Sequence, residues 1–520
     1  MLHQLALTLF ALFFRISINA GYRTGARIST VDIWRNETDN GNVIIAHGIN
    51  SWPALLEQLN EPILERSAVI EGDVLLYKQR KHRNRAIPLM SAPSKIADRI
   101  TFKEWLREVS KLRKVIKINV RSTEAVRPVL QYLFAASDEI TSPVVLHANV
   151  FRSPRSIEAA VDAAEFVDGA KKYFPEATLS IGWTKNNISE VTLPQRRIGW
   201  RELFQVLALI KDVEQSLMIS TRLTIAAHST DELSFILGVR PAISVLVWSD
   251  ESDMVDSWTS LIELRSGPHS KRLIFDLHPK HRAILKTLPY ILTVSESEYD
   301  RYLWRRVEFP SASVVPSGIV DSTDGVAFLG WPNSFLISLL QPPTLPNVQS
   351  ISAQLTFVRK RNVRRDEDWI DKSGLAIYLP EKVLDIQSPE IDGGIKVFIG
   401  YNGRISIENR DRDLLDQYYQ SRTTGQLQRA DCYAFELVDR GWHVKLVAWI
   451  RRCDDDALYG RTEITLETPM LRSRQLRNVI VSKRGDMGVD LLLQNLKHNS
   501  ASKHSYITAF MLLLITRLFS

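Results

Sequence analysis

Two short segments near the amino terminus contain residue types that could perform acid–base or metal-assisted chemistry. The first is His47-Gly48-Ile49-Asn50-Ser51, which follows an apolar stretch, and the second is Glu71-Gly72-Asp73-Val74-Leu75-Leu76. Because side chains in a strand alternate between its two faces, Glu71 and Asp73 point the same way. We therefore expect a histidine and two carboxylates at the ends of neighbouring strands.

The elements that position these groups are eight short β-rich apolar runs that alternate with helical patterns. The pattern is typical of βαβ units and predicts a (β/α)₈ TIM-type barrel over residues 21–310. An open doubly wound sheet is the alternative, but no glycine-rich phosphate turn follows the first strand. The predicted strands are Val43–Ala46, Val69–Leu76, Ile116–Val120, Val144–Val150, Ala177–Gly182, Arg222–Ala227, Ile243–Trp248 and Leu273–Leu277.

Polar and aromatic residues lie at the predicted carboxyl ends of all eight strands. In a parallel barrel these ends meet at one mouth, where catalytic residues are drawn from several strands. Such a ring indicates a site, and a buried hydrogen-bond network is the alternative. Its members are His47, Glu71, Asp73, Lys117, Asn119, Arg121, His147, Asn149, Trp183, His228, Trp248 and Asp276.

After Pro310 the pattern changes from alternating strands and helices to hairpins. Tyr401-Asn402-Gly403 separates two alternating runs, and Asp439-Arg440-Gly441 separates another pair. Asn-Gly between such runs is a strong hairpin signal. We predict an antiparallel β-sandwich over residues 348–495, joined to the barrel by a linker at residues 311–347 that ends in a proline-rich stretch.

The two ends of the chain are apolar. Residues 1–20 resemble a secretory signal peptide that ends at Ala20, and residues 499–520 resemble a lipid-anchor signal, a short tail anchor or a buried helix. Secretion would make Asn36 and Asn187 usable for glycosylation. The two cysteines, Cys432 and Cys453, are then expected to form a disulfide, and two unpaired thiols are the alternative.

The overall composition is that of a folded protein with modest positive charge. Hydrophobic residues make up 45% of the chain, charged residues 24%, and the net charge is +7. Basic runs at 78–85 and 359–365 are expected to be solvated loops, and the alternatives are binding to a sulfated glycan or proteolytic processing. A nucleic-acid partner is not expected, because the leader directs the chain to the secretory pathway.

Several separated motifs together resemble the menorin family, in order and spacing, from about Val43 to Pro279. They are His47 to Asn50, the run that starts at Glu71, Phe174-Pro175-Glu176-Ala177-Thr178-Leu179-Ser180-Ile181-Gly182-Trp183-Thr184, and Leu246-Val247-Trp248-Ser249. The menorin domain is in turn similar to the barrel of glycerophosphodiester phosphodiesterases and phospholipase-C-type enzymes. In those enzymes two histidines act as acid and base, and carboxylates hold a divalent metal against the phosphate.

The resemblance implies roles for particular residues of this chain. His47 would stand at a catalytic histidine position, and Glu71 and Asp73 would be ligands of a divalent Mg²⁺ or Ca²⁺ ion. His147 would be a vestigial or altered second catalytic histidine. The residues expected to bind a substrate are Asn50, Lys117, Arg121, Trp183, His228 and Trp248.

The chain departs from the family at positions that this chemistry needs. The family has Met-Ala-His-Pro-Pro where Met90-Ser91-Ala92-Pro93-Ser94 stands, and Lys-Leu-Asp-Phe-Lys where Lys117-Ile118-Asn119-Val120-Arg121 stands. Its Asn-Ala-Asp is His147-Ala148-Asn149 here, and an arginine near the sixth strand is His228. The changes remove a histidine and carboxylate charge that a metal site needs.

These departures favour a menorin-like protein without catalytic activity. The resemblance implies a secreted or cell-surface protein that acts as an extracellular cue or adhesion-complex component in neurite or dendrite patterning. Its partners would be cell-surface proteins of the adhesion type, and a tether at its carboxyl end would attach it to the membrane. A metal-dependent phosphodiesterase with an altered acid/base set is the competing hypothesis.

Overall fold

A computed structural model gives the fold of this chain between residues 43 and 501, with interruptions. The leader at 1–20, Asn36, Asn187, and residues 502–520 of the predicted tail lie outside the described residues. Among those described, no helix is long and apolar enough to cross a membrane. The described residues are 43–60, 68–78, 86–91, 99–112, 114–153, 156, 160–184, 197–256, 258–288, 299–310, 316–340, 348–360, 370–380, 391, 393–410, 422–441, 443–454, 456–467 and 477–501.

The amino-terminal part forms a nearly closed barrel of eight parallel strands, consistent with the predicted (β/α)₈ barrel. Its strands are β1 Ile45–Ala46, β2 Val69–Lys78, β3 Ala86–Met90, β4 Val115–Val120, β5 Val144–Phe151, β6 Thr178–Trp183, β7 Leu217–Arg222, β8 Ile243–Trp248 and β9 Leu273–Asp276. They pair in the order β1-β2-β4-β5-β6-β7-β8-β9, and β3 pairs antiparallel with β2. The N–H of Val43 donates to Phe275 O at 2.9 Å, which brings the two ends of the sheet together.

Helices connect most of these strands and cover the sheet with one apolar face. They are α1 Trp52–Asn60, α2 Phe102–Val109, α3 Thr123–Ala135, α4 Ala163–Tyr173, α5 Trp200–Ile210, α6 Leu223–Ala226, α7 Thr230–Val239, α8 Thr259–Ser266 and α9 Pro279–Thr287. In α2 the buried side chains are those at helical spacing, Phe102, Trp105, Leu106 and Val109. A capping box between Thr101 and Glu104 satisfies the first free N–H groups of this helix.

Two elements of the barrel differ from the sequence prediction. The predicted strand at 222–227 is wrong, because β7 spans 217–222 and residues 223–226 are the short helix α6. Strand β7 is placed by its pairing with both neighbours, since Leu217 lies opposite Leu179 and Ile243. Strand β3 was not predicted, because it contains Pro88 and proline usually excludes a central strand.

The carboxyl-terminal part contains two seven-stranded antiparallel sheets, consistent with the predicted β-sandwich. One sheet has the order β10-β13-β22-β15-β16-β17-β18 and the other β11-β12-β23-β14-β19-β20-β21. A single apolar core contains residues of both sheets, such as Leu375 and Leu355. The strands are β10 Trp304–Glu308, β11 Gly318–Ser322, β12 Gly325–Leu329, β13 Ser334–Ser338, β14 Val348–Arg359, β15 Gly374–Leu379, β16 Ile395–Gly400, β17 Arg404–Asn409, β18 Arg422–Gln426, β19 Cys432–Asp439, β20 His443–Arg451, β21 Leu458–Glu467, β22 Ile480–Arg484 and β23 Val489–Ala501.

The two predicted hairpins are present as β16–β17 and β19–β20. The prediction of a linker at 311–347 is wrong, because strands β11, β12 and β13 occupy much of this segment. Strand β11 pairs with β12, β12 with β23, and β13 with β22. Strand β10 also pairs with β13, so the carboxyl-terminal sheets begin before residue 310. At the other end, β23 continues to Ala501 and includes the first residues of the predicted tail.

A disulfide joins Cys432, the first residue of β19, to Cys453, which lies two residues beyond the end of β20. The expected disulfide is therefore present, and it closes the open end of this hairpin. Cys432 is fully buried in the carboxyl-terminal sheets.

The barrel and the carboxyl-terminal sheets are packed directly against each other. Ser322 Oγ donates to Phe235 O of α7 at 2.7 Å, and the N–H of Thr323 donates to Gly238 O at 3.3 Å. A Cβ atom on Gly238 would overlap Ser322 Oγ and Thr323 Oγ1 and would lie 2.9 Å from Thr323 N. Val320, Ala327 and Leu492 of the sheets belong to the same apolar core as the barrel.

Candidate functional site

A cavity of about 630 Å³ opens at the carboxyl end of the parallel strands. Residues from β2, β4, β5 and β8 and from the segments after β1, β8 and β9 line it. Charged groups of both signs make up much of the wall, so the site is polar although the barrel below it is apolar. The predicted ring residues that the structure brings together here are His47, Glu71, Asp73, Lys117, Asn119, Arg121, His147, Asn149, Trp248 and Asp276.

Glu71 is the centre of a buried ion cluster in this cavity. Strands β2 and β4 run parallel with Glu71 opposite Lys117 and Asp73 opposite Asn119. The Lys117 ammonium donates to Glu71 Oε2 at 2.6 Å, and the Asn119 amide donates to Glu71 Oε1 at 2.7 Å. Burial favours the neutral acid, but the positive charge of Lys117 and the contact with His47 outweigh it and hold the pKa of Glu71 well below its usual range.

His47 bridges two carboxylates from opposite ends of the sheet. Its Nδ1 atom lies 3.2 Å from Glu71 Oε2, and its Nε2 atom lies 3.1 Å from Asp276 Oδ2. Only the imidazolium has two N–H donors, so ionised carboxylates on both sides favour the charged ring. The His47 side chain is 53% exposed, and its partial burial opposes that charge, yet the hydrogen bonds to Asp276 and Glu71 prevail and raise the pKa of His47 to about 10.

Asp73 is held by neighbouring amide groups. Asn50 Nδ2 donates to Asp73 Oδ2 at 3.0 Å, and the N–H of Asp73 donates back to Asn50 Oδ1 at 2.7 Å. Asn119 Nδ2 donates to Asp73 Oδ1 at 3.2 Å, and the guanidinium of Arg121 lies 3.8 Å from the same oxygen. Asn50, predicted to contact a substrate, thus acts as a support for Asp73.

His147 has the opposite protonation preference from His47. Its Nδ1 atom lies 2.8 Å from Ser180 Oγ, and its Nε2 atom lies 3.2 Å from Asn149 Oδ1. Burial and the positive charge of Lys117 lower the pKa of His147 to about 3. The ring is therefore neutral near pH 7 and is held in place by two uncharged neighbours.

The remaining predicted substrate-binding residues divide between three places. Trp248 lies on the cavity wall, with the guanidinium carbon of Arg222 5.3 Å from its ring centroid. Trp183 lies in a small adjoining crevice and packs on Phe151 at 5.2 Å between ring centroids. His228 does not line the cavity, and its Nε2 atom lies 4.0 Å from Asp256 Oδ2.

Three charged cavity residues and one pairing were not predicted. Asp276 was expected at the site, but the sequence does not reveal that it pairs with His47, 229 residues away. Asp250 and Glu251 lie in the loop after β8, and Arg282 lies on α9, so none of them follows the strand-end pattern. Arg282 Nη2 donates to Leu277 O at 3.0 Å.

The carboxylates of this cavity do not fit the divalent metal that the family resemblance implies. Every carboxylate oxygen of Glu71 and Asp73 already lies within hydrogen-bond distance of a cation or an amide. Asn119 Oδ1 is buried without a hydrogen-bond partner, but Mg²⁺ or Ca²⁺ needs about six oxygen ligands. Within the described ranges, no group of three or more His, Cys, Asp or Glu residues could hold a metal ion.

The family models identify the class of protein that this barrel and these sheets form. The model of the menorin N-terminal domain matches residues 39–282, and the model of the menorin C-terminal domain matches residues 304–498. This chain belongs to the menorin family.

A relative and solved structures add detail to this assignment. The chain is 26% identical to protein FAM151B of Homo sapiens over 220 residues, which is 42% of this chain and 78% of that protein. The potassium-bound Emp46p carbohydrate recognition domain matches with 12% identity and a TM-score of 0.27, over 41% of this chain and 94% of that one. Lectin I of Ulex europaeus matches with 7% identity and a TM-score of 0.26, over 38% and 92%. At these TM-scores the likeness supports no statement about fold or ligand.

Proposed function

We propose that this menorin-family chain is a non-enzymatic binding protein that acts outside the cell. It would serve as a secreted or surface-tethered cue, or as a component of an adhesion complex, in the patterning of neurites or dendrites. The observation that supports the absence of catalysis is the occupied carboxylate of Glu71, which accepts hydrogen bonds from Lys117 and Asn119 and contacts His47. A catalytic metal would have to displace these groups. The family's second histidine is also absent from residues 90–94.

The extracellular part of the proposal rests on the sequence and the family resemblance. The apolar leader at 1–20 supports entry into the secretory pathway, and the family supports cell-surface proteins of the adhesion type as partners. Sulfated glycans are further partners through the basic runs at 78–85 and 359–365. A glycolipid anchor at 499–520 predicts that a phospholipase that cuts such anchors releases the protein from expressing cells. Retention after this treatment would contradict the glycolipid anchor.

Metal binding provides the direct test of the non-enzymatic part. Calorimetric titration of the full chain with Mg²⁺, Ca²⁺ or Mn²⁺ should give the same negligible heat for wild type and for Glu71→Gln/Asp73→Asn. The physical reason is that internal cations and amides already neutralise and satisfy these carboxylates. Binding at micromolar affinity that the double variant abolishes would contradict the proposal.

A metal-dependent phosphodiesterase with an altered acid/base set is the second candidate function. Its support is the open cavity at the strand ends, where Lys117 and Arg121 provide positive charge and His47 is a proton donor rather than an acceptor. His47→Ala separates the two functions. Hydrolysis of a phosphodiester by wild type that this variant loses would establish the enzyme, whereas partner binding that survives in the variant supports the binding protein.

A further inference from the structure

One arc of the cavity wall is polar but carries no charge. Asn149 on β5, Gly182 on β6 and Ser220 on β7 lie opposite one another in the parallel register. Residues in register on neighbouring strands face the same side of a sheet, and Asn149 and Ser220 line the cavity. Asn119 on β4 lines it too. These four residues are here called the neutral arc.

Asn119 contributes a hydrogen-bond acceptor that has no donor. Its side chain is 6% exposed, and its Nδ2 atom donates to Glu71 Oε1 at 2.7 Å and to Asp73 Oδ1 at 3.2 Å. A flipped amide would turn its oxygen towards these two carboxylates, so the two bonds fix its orientation. Among the residues that the structure describes, none donates to the buried Oδ1 atom.

Ser220 and Asn149 add two more groups with unused hydrogen-bonding capacity. Ser220 is 5% exposed, and within the described part of the chain its hydroxyl has no partner. Asn149 contacts His147 through Oδ1, and no described residue accepts from its Nδ2 atom. The neutral arc therefore offers one acceptor, one donor and one hydroxyl that can do either. Because buried polar groups without partners cost free energy, a ligand that pairs with them is favoured.

Gly182 keeps the neutral arc open for close approach. A Cβ atom on this residue would lie 3.1 Å from Asn149 Oδ1, 3.1 Å from Ser220 O and 3.3 Å from His147 Cε1. A glycine inside a strand often marks a place where a ligand comes close to the backbone. The row from Asn149 to Ser220 thus has polar groups at both ends and space between them.

The charged part of the wall limits the chemistry of the ligand. Five carboxylates and four positively charged groups line the cavity, and two of these cations, Lys117 and His47, already bond to Glu71 and Asp276. An anion only accepts hydrogen bonds and would face an excess of carboxylates, and an ammonium group only donates. A hydroxyl group both donates and accepts, which matches the neutral arc. The volume of about 630 Å³ suits a small molecule.

We propose that the cavity binds a neutral sugar in its pyranose form, with hydroxyl groups on the neutral arc. Trp248 on the same cavity wall provides an aromatic ring for the apolar C–H face of the sugar. A free monosaccharide and the terminal residue of a glycan share this chemistry. The inference rests on the binding function proposed above, because a phosphodiesterase would use the cavity for a phosphate group.

Saturation-transfer NMR on the full chain tests the proposal with D-glucose, D-galactose, D-mannose and N-acetyl-D-glucosamine as probes. At least one of these sugars should bind, and inorganic phosphate should not displace it. The methyl glycoside of the sugar that binds distinguishes the two sources. Equal binding of the methyl glycoside indicates the end of a glycan, and loss of binding indicates a free sugar.

Ser220→Ala should weaken sugar binding about tenfold, because a sugar hydroxyl loses its partner. The melting temperature should not fall, since the Ser220 hydroxyl bonds to nothing in the described fold. Ser142→Ala is the matched control. Ser142 is also 5% exposed, its Oγ atom has no partner among the described residues, and it lies just before β5 and does not line the cavity. This variant should bind the sugar as wild type does.

Several outcomes would overturn the proposal. They are no binding of any of the four sugars, displacement of the bound sugar by phosphate, unchanged binding in Ser220→Ala, and an equal loss of binding in Ser142→Ala. A lower melting temperature for Ser220→Ala than for Ser142→Ala would show that the hydroxyl has a structural partner, which also contradicts it. The metal titration tests the binding function separately. A chain that binds neither metal nor sugar retains that function and contradicts only the sugar.

Discussion

At the residue scale, the ion cluster around Glu71 joins three strands of the barrel mouth through one carboxylate. Lys117 lies on the neighbouring strand β4, and His47 connects the cluster to Asp276 on β9. A buried ion pair contributes little net stability once desolvation is counted, but removal of one partner leaves an uncompensated charge. The main effect of the cluster is therefore to fix the relative positions of the side chains at the barrel mouth, and its net contribution to the stability of the fold is small.

The two cavity histidines should titrate in opposite directions from the ordinary value. The pKa of His47 is raised from 6.5 to about 10, and the pKa of His147 is lowered from 6.5 to about 3. Imidazole proton shifts in an NMR titration should show His47 charged and His147 neutral throughout pH 5–8. His47→Gln and His147→Gln assign the two signals. A His47 signal that titrates near 6.5 would contradict the bridge between the carboxylates.

The same two pKa shifts determine whether each histidine makes the folded state more or less stable as the pH changes. The pKa of His47 is higher in the folded state, so its contribution is complete below about 6.5 and is lost as pH rises towards 10. The pKa of His147 is lower in the folded state, so stability falls as pH drops from about 6.5 towards 3. Denaturant unfolding of the wild type and the two Gln variants at several pH values measures both slopes.

Much of the site could be predicted from the sequence because strand alternation and parallel pairing are local rules. Glu71, Asp73, Lys117 and His147 are strand residues whose faces follow from their spacing. The partners could not be predicted, because the contact between His47 and Asp276 spans the whole barrel. Arg282 escaped prediction because it reaches the cavity from a helix.

At the element scale, the predicted strand and linker boundaries were wrong where two apolar runs are adjacent or where prolines occur. Residues 217–227 contain two mostly apolar runs on either side of Ser220-Thr221-Arg222, and only pairing with β6 and β8 decides that the strand is the first run and ends at Arg222. The proline-rich stretch at 338–347 suggested a linker, although the strands before it complete both carboxyl-terminal sheets. The hairpins were predictable, since Asn-Gly and Asp-Arg-Gly specify tight turns.

The disulfide should stabilise the hairpin that it closes. Cys432 and Cys453 are separated by 21 residues, and a loop of this size restricts the unfolded chain by about 2–4 kcal/mol. Cys432→Ser/Cys453→Ser should lower the free energy of unfolding by this amount in denaturant titrations. Reductant should reproduce the loss in wild type and leave the double variant unchanged, because the chain has no other cysteine. No change on reduction of wild type would contradict a bridge in solution.

At the scale of the whole molecule, the barrel and the carboxyl-terminal sheets share one apolar core through Val320, Ala327 and Leu492. Lys211 on the barrel also donates to Glu308 Oε2 at 2.5 Å. A shared core favours one cooperative unfolding transition for both parts, because neither can unfold without exposing apolar surface of the other.

Gly238→Ala should disrupt this contact. Alanine is the better residue inside a helix, by about 0.5–1 kcal/mol, but its Cβ would overlap Ser322 and Thr323. Because the overlap includes backbone, we expect a net loss of about 1–3 kcal/mol and a broader or divided thermal transition. Gly267→Ala is the control, since its Cβ meets only Glu263 O at 3.4 Å and Leu264 O at 3.5 Å. If Gly238→Ala unfolds as wild type does, Ser322 and Thr323 can move aside without loss of stability, which would contradict a tight interface.

The barrel is least well closed between its first strand, β1, and its last strand, β9. Strand β1 contributes Ile45 and Ala46, and no ladder joins it to β9 in the described part of the chain. The bond from Val43 to Phe275 spans this seam, and His47 follows β1 directly. Opening of this seam would displace the imidazolium together with β1, so we expect the charge at the cavity mouth and the shape of the mouth to change together. The rate of hydrogen–deuterium exchange at the Val43 amide should report how often the seam opens.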